Sequence, residues 1–115
     1  MLFRSLADTA MLLHRSDSLD LAQELLDRRR LVYGELDRKT LQAVGAVARA
    51  LSARLKPDDM AKAERLLRKG LEQARRVHGD DDELTFHLNH SLSNTLMRQN
   101  KFAAAVPYEI GRAHV

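Results

Sequence analysis

Cysteine and tryptophan are both absent from this 115-residue chain, and three phenylalanines with two tyrosines bring the aromatics to only 4%. Without cysteine there is no disulfide, thiolate zinc site or cysteine nucleophile, and the composition fits a reducing compartment. Five glycines and two prolines are too few turn residues for a many-stranded β fold. No apolar run approaches the roughly 18 residues of a membrane span. The N-terminal MLFRSLADTAMLL is broken by Arg4 and Asp8, which argues against a signal peptide there. What remains is 44% apolar and 30% charged, so a core must be built mainly from leucine, alanine and valine. The 19 basic and 16 acidic residues leave a net charge of only +3. The two signs are interspersed, which is a poor source of the clustered field that steers nucleic acid. At 13.0 kDa the chain has room for one small domain or a piece of a larger one.

Apolar residues recur with the 3.6-residue period of a helix. Leu6, Ala10 and Leu13 share one face of a first helix. Ser16 or Asp17 can cap a second, which carries Leu19, Ala22, Leu25 and Leu26, and Gly34 ends it. Asp37 is the expected N-cap of a third, with Leu41, Val44, Ala48, Leu51 and Leu55 as its stripe. Pro57 and Asp58 mark the next turn and cap. A fourth helix, from about Met60 to Val77, turns Ala63, Leu66, Leu67, Leu71 and Ala74 inward. After Gly79, the pair Asp80 and Glu83 reads as an analogue of the capping box. A fifth helix carries Phe86, Leu92 and Leu96, and Asn100 turns the chain into a sixth near Phe102.

The helices repeat. Gly34 and Gly79 stand 45 residues apart, as do Thr40 and Thr85. Each glycine follows a basic helix end, RRRLVYG or ARRVHG, and precedes an acidic turn and then Thr40-Leu41 or Thr85-Phe86. A second register separates Leu6 from Leu19 and Val47 from Met60 by 13 residues each, against ten from Leu92 to Phe102. A helix pair of this kind cannot bury its apolar face alone, so stacked pairs share one core.

On these residues the chain resembles the long tetratricopeptide repeats, of roughly 42 residues, of kinesin light chains and many bacterial multidomain proteins. Arg29, Arg30, Gly34, Thr40, Leu41, Val47 and Ala48 match one copy. Thr85, Phe86, Leu92, Gln99, Asn100, Phe102, Ala105 and Pro107 match the next, with Pro107 expected in a tolerant first turn. The resemblance runs from Ser5 to Tyr108. It implies a concave groove lined by the first helix of each pair, holding an extended peptide through paired asparagines. Here those pairs are Gly45-Ala46 and His90-Ser91, so the amide clamp is missing from both copies. Three extra residues near 54–58 also lengthen one turn.

Glu109 to Val115 leaves the repeat pattern and back-translates to GAG ATC GGA AGA GCA CAC GTC, the look of a common sequencing adapter. The natural sequence is therefore expected to stop near Tyr108, with 109–115 a non-native tail and the chain a fragment whose last pair lacks its closing helix.

Other chemistry has plainer explanations. His87 and His90 stand three apart, as two metal ligands do, but a third ligand is missing and both suit a polar groove. Asp80, Asp81, Asp82 and Glu83 lack the alternate spacing of a calcium loop and sit where acids favour a helix start. Arg28, Arg29 and Arg30, like Arg75 and Arg76, fall at helix C-terminal ends, where cations complement the dipole, and have no interleaved aromatics for stacking bases. No nucleophile with its base, paired-carboxylate motif or glycine-rich phosphate loop is present, Gly45 and Gly70 being single glycines within helices. No enzymatic activity, cofactor or metal is expected.

The expectation is thus an all-α chain, an α-solenoid of antiparallel helix pairs at about 1–33, 34–78 and 79–108, the last incomplete. By resemblance it is a cytoplasmic scaffold module that binds a peptide or protein partner and forms part of a larger protein. The partner-binding candidates are Gln42, Arg49, His87, His90, Asn94 and Arg98. Nucleic-acid binding and self-association through uncapped repeat ends are the alternatives.

Overall fold

The computed structural model describes residues 18–113, with side chains as far as Tyr108. The first predicted helix, with Leu6, Ala10 and Leu13, and the caps Ser16 and Asp17 lie outside the described residues. Among those described are five helices and no strand: α1 (Ser18–Tyr33), α2 (Arg38–Ala53), α3 (Pro57–His78), α4 (Glu83–Arg98) and α5 (Phe102–Ala113). Each packs against the next, and α2 also reaches α4. None is long and apolar enough to cross a membrane.

The core follows the aliphatic stripes. Leu41, Ala63, Leu67, Ala74, Leu92 and Leu96 are fully buried, and Leu26 of α1 joins them with Leu19 and Ala22 packed alongside. Leu25 and Leu55, assigned to the same stripes from periodicity, are instead exposed. Leu55 misses because the helix ends before it: Arg54 is the C-cap of α2, and Leu55 takes φ +57° in the longer turn to α3. Small residues bring α2 and α3 close. A Cβ on Gly70 would stand 3.1 Å from Val44 Cγ1, so the missing side chain of Gly70 is part of the packing.

The 45-residue repeat is visible as a turn built twice. Gly34 and Gly79 take φ +90° and +97°, a region closed to most side chains. Six residues on, a buried threonine hydroxyl donates back to each glycine's carbonyl, Thr40 Oγ1 at 2.6 Å and Thr85 Oγ1 at 2.7 Å. Between them an aspartate caps the next helix, Asp37 accepting from the Lys39 amide and Asp82 from the Leu84 amide, each at 2.8 Å. Glycine reverses the chain, aspartate satisfies an open amide, and threonine satisfies the reversed carbonyl. The cap of α4 is therefore Asp82 and not Asp80, which is exposed.

The other turns differ. Lys56, with no side-chain cap, precedes α3, and Pro57 takes its first position, where a missing N–H costs nothing; Asp58 sits in the first turn and is not the cap. After α4, Asn100 adopts φ +62°, and the Asn100 and Lys101 amides return to the Met97 and Leu96 carbonyls, each at 2.9 Å. Pro107 lies inside α5, beyond its first turn, and the helix continues past Tyr108, where the repeat pattern stops.

Candidate functional site

Helices α2 and α4, 45 residues apart in sequence, lie side by side and are pinned at both ends. At their N-termini, Arg38 grips Asp82 with two hydrogen bonds of 2.6 and 2.7 Å. At their C-termini, the buried hydroxyls of Ser52 and Thr95 meet at 3.2 Å. The two helices therefore run in the same direction, and a groove lies between them. The arginine clamp, with help from the Leu84 amide, holds the Asp82 carboxyl at about 2. A carboxylate that is at once helix cap and inter-helix anchor stays charged down to strongly acid pH.

The groove consists of two adjoining cavities. One, of about 390 Å³, is bordered by Arg38, Gln42, Gly45, Glu83 and His87; the other, of about 230 Å³, by Ser52, Asn94, Thr95 and Arg98. Arg49, His90 and Ser91 belong to both. All six partner-binding candidates, Gln42, Arg49, His87, His90, Asn94 and Arg98, line this one groove. Of the other groove residues, Gly45 and Ser91 stand at the asparagine-pair positions read from the sequence, whereas Arg38, Ser52, Glu83 and Thr95 were not named as groove residues. Gly45 was signalled by the repeat itself, being the counterpart of His90, whereas the Ser52–Thr95 contact has no signal in the spacing.

His90 and Asn94 interact, the amide nitrogen standing 3.3 Å from His90 Nε2. With Nε2 accepting, the ring proton sits on Nδ1, which is buried and has no partner among the described residues. Arg49 and Arg98 have no ion-pair partner among the described residues either. The other basic clusters are compensated: Arg28 by Glu24, Arg30 by Glu35, Arg76 by Glu72 and Arg75 by Asp80. Arg29 donates to the Lys39 carbonyl. A larger depression of about 460 Å³ is lined by these paired groups, Arg75, Arg76, Glu72 and Asp80 among them. The groove therefore holds two arginines without ion-pair partners among the described residues, as Arg65, Lys56, Lys62 and Lys69 are elsewhere on the surface. Among the described residues no three histidine, aspartate or glutamate side chains come together as a metal would need, His87 and His90 included.

Gly45 forms part of the groove wall. A Cβ there would meet Leu88 Cδ2 at 3.5 Å, an ordinary contact. Gly45→Ala is expected to raise stability by about 0.5–1 kcal/mol, because a mid-helix glycine costs that much relative to alanine. Urea denaturation checks this, and a lowered midpoint would mean that the wall cannot take a methyl group.

No family model, curated protein or solved structure matches the chain.

Proposed function

We propose that the chain is a helical-repeat binding module of the tetratricopeptide kind, an α-solenoid of antiparallel helix pairs whose α2–α4 groove takes an extended segment of a protein partner. The observation that carries this reading is the groove itself. Two helices one repeat apart run in the same direction, and all six polar candidates line the space between them. The twice-built turn supports the repeat, since Gly34, Asp37 and Thr40 recur as Gly79, Asp82 and Thr85 with the same hydrogen bonds.

Charge narrows the partner. Arg49 and Arg98 have no ion-pair partner among the described residues, and Glu83 stands at the opposite end of the groove, beside the Arg38–Asp82 clamp. A segment acidic where it crosses Arg49 and Arg98 complements this arrangement. Selection of peptides from a displayed random library on the intact chain, followed by affinity measurement, tests the proposal. Arg49→Ala and His87→Ala are each expected to weaken the selected peptides about tenfold, as removing a charged or aromatic contact from a groove does. Unchanged affinity in both variants would remove the assignment. Salt should weaken the complex only modestly, in contrast to the steep dependence of nucleic-acid binding.

A further inference from the structure

The smaller cavity of the groove is lined mainly by hydrogen-bond donors. Among the described residues no aspartate or glutamate lines it, and Arg49, Ser52, His90, Asn94, Thr95 and Arg98 all carry hydrogen-bond donors. The donors come from both walls and the floor: Arg49 from α2, Asn94 and Arg98 from α4, and, from the buried Ser52–Thr95 pair between them, the one hydroxyl hydrogen that their mutual bond leaves free. One lining residue, His90, holds a buried ring nitrogen with no partner among the described residues. Against these donors stand the carbonyl ends of α2 and α4, which carry about half a negative charge each. The two arginines contribute two full positive charges, so the balance favours an anion.

We infer that this cavity is a subsite for a phosphate group carried by the partner segment, that is, for a phosphorylated side chain. The inference rests on reading the groove as a partner site. A planar carboxylate presents two oxygens in one plane and is served by one arginine. A tetrahedral phosphate monoester presents three oxygens in three directions and carries a charge of between about −1.5 and −2, which matches two arginines on separate helices with a hydroxyl donor beneath. The cavity, at about 230 Å³, has room for such a group.

The test uses the intact chain and inorganic phosphate as probe, followed by NMR through the side-chain Nε–H signals of Arg49 and Arg98. Acetate at matched ionic strength is the comparison. Phosphate is expected to shift both signals saturably and acetate to shift them weakly. Arg49→Gln and Arg98→Gln should each raise the half-saturation concentration about tenfold, while Arg28→Gln, outside the groove, leaves it unchanged. A short peptide with one phosphoserine should bind more tightly than free phosphate, and its unphosphorylated form should not compete. Absence of saturation, or saturation that survives the double arginine variant, overturns the inference. Acetate binding as tightly as phosphate overturns it in favour of a carboxylate site. A phosphopeptide no tighter than free phosphate overturns the partner-borne source. Saturable phosphate binding in a chain whose selected peptides ignore Arg49 would count against the peptide groove and leave the anion site standing.

Discussion

Truncating Leu96 to alanine is expected to cost about 2–5 kcal/mol, a large share of the stability of a domain this small. Leu96 is fully buried, and its helix α4 packs against α2, α3 and α5, so there is no free wall to close over the space left behind. Leu55→Ala is the matched comparison. Sequence periodicity places Leu55 in a core stripe too, yet its side chain is 67% exposed, and its loss should change stability by no more than about 0.5 kcal/mol. Urea unfolding followed by far-ultraviolet circular dichroism measures both variants, the chain having no tryptophan to report by fluorescence. Equal effects at the two positions would contradict the packing described above.

The second large effect is a loss of stability in acid. Glu64 of α3 accepts hydrogen bonds from Arg68, Gln99 and Lys101, each at 2.9 Å, and Arg68 passes on to the Tyr108 hydroxyl at 3.2 Å. This network ties α3 to the turn after α4 and to α5. Burial pushes the Glu64 carboxyl up, but the hydrogen bonds from Lys101, Arg68 and Gln99 outweigh it and hold the group at about 2. Asp82, clamped by Arg38, is held at a similar value. Both are depressed from ordinary values of 4.5 and 3.8, so the folded state binds these protons less readily than the unfolded state. Their contribution is therefore complete above the ordinary values and is lost as pH falls towards about 2. Unfolding free energy should hold steady from neutral pH down to about 5 and then decline. In a Glu64→Gln, Asp82→Asn chain it should start lower and decline less. General charge repulsion in acid acts on both chains, so the difference between the two curves isolates these groups. Parallel curves would show that neither carboxylate matters to folding.

Much of this was legible in the sequence. Helix content, the core of α2 and α3, the cap Asp37 and the turns at Gly34 and Gly79 follow from local rules that act over a few residues; in α4 Leu92 and Leu96 were legible, but Leu84 and Leu88 fill the core and Phe86 is only half-buried. The misses have physical causes. Three consecutive aspartates compete to cap α4, and the local rule chose Asp80; the 45-residue repeat, applied to Asp37, points to Asp82. Leu55 fits a periodic stripe, but periodicity cannot see that the chain leaves the helix at Arg54, and nothing among the described residues explains the exposure of Leu25. Pro107 suits a first turn by its residue type, yet α5 starts at Phe102 and places it further in. The six groove candidates were legible as polar positions on the two helices that the resemblance turns towards a groove. The Arg38–Asp82 clamp and the Ser52–Thr95 floor were not, because each joins residues more than 40 apart that no local pattern links.

The pinning of α2 to α4 at both ends has a practical consequence. The groove's walls are the outer faces of the same helices whose inner faces form the core, so the walls cannot part without disturbing the folded state. Any molecule that bridges them binds the native chain and not the unfolded one. At one hundred times its dissociation constant such a ligand adds about 2.7 kcal/mol to the unfolding free energy, whatever its identity. The melting temperature of the intact chain is thus a general reporter of groove occupancy, and a collection of candidate partners can be ranked by heating alone.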